Sequence, residues 1–245
     1  MRESLSFITP SWPVPENVKC LSTTRMDGVS IAPYSSLNLG VHVGDELGDV
    51  RQNRALLREY LPAEPLWLNQ VHGTDVAQAL RYQGVCDADA SVANGIHQVC
   101  TVMTADCLPV LFCDTSGTQV AAAHAGWRGL LDGVLENTVS KFEQPNQVLA
   151  WLGPAIGPNA FEVGQEVKDS FSLKAPAAER CFKPSQETGK WLADLYSLAK
   201  LRLNAVGVTQ VFGGEHCTYS DEARFFSYRR DGVTGRMASC IWLTD

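Results

Sequence analysis

An α/β (α+β) fold, a single domain with a mixed β-sheet flanked by helices, is what this sequence predicts, and three observations lead there. Roughly ten short β-rich runs and four helical patterns follow one another in mixed order, which favours a mixed sheet over a bundle or a repeat array. No repeat, low-complexity run or Pro/Gly/Ser linker interrupts the chain, so one unit is expected across residues 1–245. With 245 residues, 45% of them apolar and 19% charged, the chain can bury a full core.

Val18 to Arg25 alternates loosely and reads as the first strand. The segment from Met26 to Gly48 is rich in turn residues and carries Pro33; within it, Ser36-Leu37-Asn38-Leu39-Gly40 reads as a loop laid against something. Asp49 to Leu61 reads as a helix ended by Pro62. Asn53 and Arg54 are by default solvated there. Arg54, however, falls on the stripe of Val50, Leu57 and Leu61, which suggests a buried or site-facing guanidinium. Leu66 to Val71 and Asp75 to Leu80 read as strands on either side of His72-Gly73-Thr74.

Three β-rich runs then follow closely: Val99 to Met103, Leu108 to Cys113 and Val120 to Ala123. The first two flank Thr104-Ala105-Asp106-Cys107, and the third ends on His124. Gly126 to Gly129 leads into an amphipathic helix in which Leu130, Leu131, Val134, Leu135, Thr138, Val139 and Phe142 keep helical spacing. Its first turn and Arg128 would favour an anion close to His124. Val148 to Leu152 reads as a buried strand, and Gly153 to Pro158 as a rigid wall. Helices are expected over Gly164 to Leu173 and Trp191 to Ala205, with a polar loop from Lys174 to Lys190 between them. Strands are expected over Gln210 to Gly213, Ala223 to Tyr228 and Arg236 to Leu243, with a turn at Asp231 to Gly235. Arg229 and Arg230 flank that turn, facing a substrate anion or plain solvent.

Net charge is −7, from 20 basic and 27 acidic residues, with no basic block. Nucleic-acid backbone binding is therefore not expected, while a local arginine pocket for one phosphate remains compatible with it. No run of 18 uncharged apolar residues is present, so no membrane span is expected. Pro10, Pro13 and Pro15 break the N-terminal stretch, which has no apolar signal-peptide core. A cytoplasmic protein is the expectation. The eight cysteines include no C-x-x-C pair; reduced, mostly buried thiols are expected, with one or two of them chemical.

His72, Cys107 and His124 share a placement at the ends of β-rich runs beside turns. Spacing along the chain gives no signature for such distant residues. One sheet edge nevertheless brings such ends within reach of one ion. One thiolate and two imidazoles suit Zn2+ with a fourth position open, and the same set also suits Cu2+. Copper electron-transfer sites gather their later ligands in one short loop, which this chain does not do, so zinc leads. Cys107 activated by His124 as a nucleophile is the competing chemistry. Asp106 reads as a ligand-orienting or proton-relaying group, or simply as the cap of its turn.

The segments NQVHGTDV (69–76), MTADCLPVLF (103–112), AAAHAGWRG (121–129), WLGPAIGP (151–158) and FFSYRRDGVTGRMAS (225–239) together resemble the bacterial laccase-domain, or polyphenol oxidase, family, also called the peptidoglycan editing factor family. The resemblance spans nearly the whole chain. It implies that His72, Cys107 and His124 are the metal ligands and catalytic residues. It also implies a purine nucleoside phosphorylase acting on adenosine, inosine, guanosine or methylthioadenosine, with adenosine deaminase activity. Copper-linked phenol oxidation and editing of muropeptide precursors are its other associations. Asn38, Arg54, Arg128 and Arg229 are the expected substrate-binding residues. The expected partners are a purine nucleoside and phosphate, with no nucleic acid or membrane, in a monomer or homodimer. Two other classes are a Cys–His hydrolase and a non-enzymatic binder of cell-wall precursors.

Overall fold

The computed structural model describes residues 4–79 and 85–245. In order, the elements are β1 (Phe7–Ile8), β2 (Val18–Thr23), α1 (Leu47–Arg58), β3 (Val76–Gln78), β4 (Ala90–Ala93), β5 (Val99–Thr104), β6 (Leu108–Asp114), β7 (Val120–Ala125), α2 (Trp127–Asp132), α3 (Val134–Val139) and β8 (Val148–Leu152). Then come β9 (Glu162–Gly164), α4 (Gln165–Lys174), β10 (Phe182–Pro184), β11 (Lys190–Ala193), α5 (Leu195–Ala205), β12 (Gln210–Gly213), α6 (Tyr228–Asp231) and β13 (Met237–Leu243).

Side chains along a strand alternate between faces, and in the central strands both faces are covered. Val110 and Phe112 of β6 join one apolar cluster, while Leu111 and Cys113 join another. A six-stranded sheet in the order β12-β8-β6-β7-β4-β3 is antiparallel at its centre and parallel at both margins. A four-stranded antiparallel sheet, β1-β2-β13-β5, packs on one of its faces. Cys100, Val102 and Ile241 meet Leu111, Val120 and Trp151 across that interface. Leu130 of α2, Val134, Leu135 and Val139 of α3, and Leu195, Leu198 and Leu203 of α5 cover the other face. Leu57 of α1, with Leu37, Leu39 and Trp67, covers the outer face of the four-stranded sheet through Val99, Met103 and Trp242. The result is four layers, helix–sheet–sheet–helix, with a small β10-β11-β9 sheet beside α4.

The predicted fold class holds, but the strands divide into three sheets rather than one. Two-sided burial erases the alternation that would tell one sheet from another in the sequence. Leu66 to Val71 is not a strand; its only ladder-type pairings among the described residues are the isolated bridges Leu66–Cys100 and Asn69–Asp87. The end of the next expected strand, Leu80, lies outside the described residues, and the strand itself is Val76–Gln78. The helix expected from Leu130 onward is two short helices, because Gly133 turns left-handed at φ +108°. Helix α5 starts at Leu195, and Lys190–Ala193 is instead the central strand of the small sheet. The expected loop before it contributes β10 to that sheet. Ala223 to Tyr228 forms no strand; Phe225 and Phe226 are buried without joining a ladder. Among the described residues, no helix is long and apolar enough to cross a membrane.

Candidate metal centre

Register brings four segments to one edge of the six-stranded sheet. Leu108 of β6 lies opposite Ala125 of β7, so Cys107, just before β6, sits beside the end of β7 and His124. On the other side of β7, Ala90 of β4 lies opposite Ala123, which sets Asp89 next to His124. Val76 of β3 is paired with Ala90, and the His72–Gly73 turn ahead of β3 reaches the same edge.

His72, Cys107 and His124 each offer a ligand atom, and all three atoms lie within 4.8 Å of one another. Cys107 Sγ is 3.8 Å from His72 Nε2. The two imidazole rings meet edge to face with centroids 4.8 Å apart. Tetrahedral zinc separates nitrogen and sulfur donors by about 3.5 Å, given bonds of about 2.0 and 2.3 Å. The donor set and its spacing therefore fit a metal ion with room for a further ligand. His72 is exposed, Cys107 half-buried and His124 buried, so the cluster opens on the His72 side.

One carboxylate organises both histidines. Asp89 is fully buried, and its Oδ1 lies 2.7 Å from His124 Nδ1. As an ionised acceptor it places the proton on Nδ1, leaving Nε2 as the donor toward a metal. Its oxygens also accept the backbone N–H groups of Val71, His72 and Gly73 at 3.1, 3.0 and 2.7 Å. This cradle holds His72 at φ +60°, a conformation that a non-glycine residue rarely adopts without such support. Burial alone would raise the Asp89 carboxyl, but the hydrogen bond and charge of His124, then the amides, hold it below its usual range.

Burial would likewise raise the Cys107 thiol. The charge and hydrogen bond of His124, with those of His72, bring it down to about 6. His124 moves the other way: burial opposes its charge, yet Cys107 and Asp89 lift it to about 9. Cys107 is thus poised as a thiolate, the form that binds metals and attacks electrophiles. Cys100 and Cys240, in the apolar core, are pushed up to about 12.

Two further residues shape the site. Gly126 packs so closely that a Cβ there would stand 2.7 Å from His72 Cδ2 and 3.2 Å from Cys107 Sγ. Asp106, at φ +91°, accepts from Thr218 Oγ1 at 2.7 Å and from the Arg229 amide at 2.6 Å, while its carbonyl accepts from Ile156. It ties the Cys107 turn to the 153–157 and 217–229 segments, which extends the turn-capping role expected of it.

The expected substrate-binding residues divide. Asn38 is fully buried, and its amide, engaged with Gly40, Asp45 and the Arg236 N–H, braces a loop. Asn53, expected in solvent, is fully buried and donates to Ser30, Ser36 and Asn38. Arg128 is exposed, its guanidinium on the Trp127 ring, and Arg229 is exposed, bonded to the Glu162 carbonyl. Helix α2 is only six residues long, which leaves little dipole to hold an anion. Arg54 is half-buried over the Trp67 ring, with its Nη2 3.8 Å from Met103 Sδ, four residues before Cys107.

Comparison with known proteins identifies the family and matches the fold. The family model described as multi-copper polyphenol oxidoreductase laccase matches residues 19–244. A purine nucleoside phosphorylase of Pseudomonas aeruginosa is 55% identical over 241 residues, covering 98% of this chain and 99% of the relative. The purine nucleoside phosphorylase YfiH of Escherichia coli K12 is 56% identical over 241 residues, covering 97% and 98%. The crystal structure of a Neisseria meningitidis protein superposes with a TM-score of 0.95 at 54% identity, covering 98% of this chain and 99% of that one. YlmD of Geobacillus stearothermophilus gives a TM-score of 0.91 at 31% identity, covering 100% and 98%.

Proposed function

This chain belongs to the laccase-type polyphenol oxidoreductase family, and from that premise we propose that it is a zinc-dependent purine nucleoside phosphorylase that also deaminates adenosine. The observation that carries the reading is the cluster of His72, Cys107 and His124, in a chain whose near full-length relatives bear the phosphorylase name. Adenosine, inosine, guanosine and methylthioadenosine are its proposed substrates. In phosphorolysis of inosine, an oxygen of hydrogen phosphate bonds to ribose C1′ as the C1′–N9 bond breaks. The bonding pair leaves on N9, and the proton of the phosphate ends on the purine. The products are ribose 1-phosphate and hypoxanthine, and no electron is transferred.

A divalent cation held by His72, Cys107 and His124 would supply a Lewis acid with an open coordination position. Asp89 fixes the tautomer of His124 and the turn of His72, so both donors are set before substrate arrives. Asp106 holds the turn that presents Cys107. Zinc is preferred to copper because the donors come from separated segments and face an open side.

One observation favours a second reading. Asp89 bonds His124, whose ligand nitrogen lies within 4.8 Å of the Cys107 sulfur, a carboxylate–imidazole–thiol succession like that of a Cys–His hydrolase, and a muropeptide precursor is its proposed substrate. Incubating protein of measured metal content with inosine or adenosine and phosphate separates the two. Metal-dependent release of hypoxanthine and ribose 1-phosphate, abolished in Cys107→Ala, is expected. Phosphorolysis that survives both that substitution and complete metal removal overturns the zinc reading. A thioester trapped on Cys107 of metal-free protein selects the hydrolase, and stoichiometric copper with phenol turnover selects an oxidase.

A further inference from the structure

Arg54 and Arg236 stand on either side of the Leu39–Gly40 loop. Arg54 Nε donates to the Leu39 carbonyl at 2.9 Å, and the stem of Arg236 lies so close to Gly40 that a Cβ there would be 2.9 Å from its Cγ. The loop is further pinned by Leu39 N–H donating to the Arg236 carbonyl, and by Asn38 Oδ1 accepting from the Arg236 N–H. Both guanidiniums are half-buried, yet among the described residues neither joins an ion pair. Buried cations are ordinarily paired. Arg236 spends Nη1 on the Thr234 and Gly235 carbonyls, and Arg54 spends Nε and one Nη2 position. Nη1 of Arg54 and Nη2 of Arg236 have no partner among the described residues, and neither is sealed from solvent.

Met237 pairs with Thr104 in the β13–β5 ladder, so Arg236, one residue before it, stands at the strand end that leads through Ala105 and Asp106 to Cys107. Among the described residues Asp106 forms no ion pair with Arg236, and its two carboxylate oxygens accept from the Thr218 hydroxyl and the Arg229 backbone N–H. Burial brings Arg54 down to about 10, with only partial relief from Glu64, so it stays charged at neutral pH. His42, two residues past Gly40, is held low by burial and then by the charges of Arg236 and Arg54. Two arginines without an ion-pair partner among the described residues thus flank one loop, Arg54 against Met103 and Arg236 beside the strand end that precedes Cys107.

We infer that Arg54 and Arg236 form the oxyanion clamp that takes inorganic phosphate as co-substrate. The inference rests on the phosphorolytic reading above, and it assigns phosphate to these two arginines rather than to Arg128 and Arg229. Paired forks suit a tetrahedral oxyanion because each presents several N–H donors in a fixed plane. With the phosphate held there and the nucleoside over the metal cluster, attack on C1′ proceeds between two fixed partners.

The test uses zinc-loaded full-length protein, its Arg54→Gln and Arg236→Gln variants, and the charge-retaining Arg236→Lys. Circular dichroism and zinc content show that each variant is folded and loaded. Calorimetric titration with inorganic phosphate is expected to give one saturable site in the parent, weakened roughly 10- to 100-fold in each glutamine variant and partly restored by lysine. In parallel, the KM for phosphate rises by a like factor while the KM for inosine stays within about twofold. A parent that binds no phosphate, or glutamine variants that bind it as the parent does, overturns the clamp even if phosphorolysis is normal. Phosphate binding lost in those variants, in a protein that does not cleave nucleosides, leaves the clamp standing and removes the phosphorylase reading. Binding of adenosine monophosphate but not of inorganic phosphate also overturns it, by naming a nucleotide phosphate as the ligand.

Discussion

Asp89 makes the site's dependence on single atoms plain, because one buried carboxylate holds a ring nitrogen of His124 and three successive amides around His72. Asp89→Asn keeps the shape but presents a donor where Nδ1–H needs an acceptor. The imidazole then turns its other tautomer toward the metal, and the amide cradle loses half its acceptors. Zinc affinity, read by competition with a chelating dye, is expected to fall roughly 10- to 100-fold in this variant, with the far-ultraviolet spectrum unchanged. Parental affinity in Asp89→Asn would show that the carboxylate is mere packing. Cys107 and His124 were legible in the sequence because each stands at the end of a strand beside a turn, and His72 because it stands beside a turn glycine, although the run before it is no strand. Asp89 was not, since it lies between segments with no periodic signal, and neither a buried acid nor its partners can be read from composition. Gly126 was visible only as a turn glycine; its closeness to His72 and Cys107 is a matter of three dimensions.

Single elements carry the next level of control. The β6–β7 hairpin is closed by Asp114, which accepts from the Thr118 and Gln119 amides at 2.8 and 3.0 Å and from the Ser116 and Thr118 hydroxyls. Burial alone would raise this carboxyl, but those bonds outweigh it and hold the group below its ordinary range. A depressed folded value means that the unfolded chain binds the proton more readily. The stabilisation is therefore complete above the unfolded value of about 4 and is lost as pH falls toward the folded one. Urea midpoints measured between pH 6 and pH 3 are expected to drop further for the parent than for Asp114→Asn, whose side chain does not titrate. Equal slopes would show that the turn owes nothing to the charge. The helix after His124 shows where element reading fails: Leu130 to Phe142 keep one apolar face throughout, so the break at Gly133 leaves the periodicity intact. The Phe225-Phe226 pair misled for the opposite reason, since two buried aromatics in a loop imitate a strand.

Across the molecule, the layers explain why the donors converge. The six-stranded sheet is covered on both faces, by the four-stranded sheet and by α2, α3 and α5, so reactive side chains are left to its edge. There β6, β7, β4 and β3 bring together residues that lie as much as 52 positions apart, from His72 to His124. The fold class was legible from the mixed order of elements, whereas the division into three sheets was not, because strands buried on both sides do not record which neighbour covers which face. Helix α1 and the residue before β13 supply Arg54 and Arg236, one on each side of loop 38–42. Cation and anion sites are thereby built on one rigid frame. X-ray absorption at the zinc edge of protein carrying one zinc per chain tests the central claim most directly. It is expected to show one sulfur at about 2.3 Å and two imidazole nitrogens at about 2.0 Å, with the sulfur shell gone in Cys107→Ala. A spectrum without sulfur, or one that Cys107→Ala leaves unchanged, would contradict it.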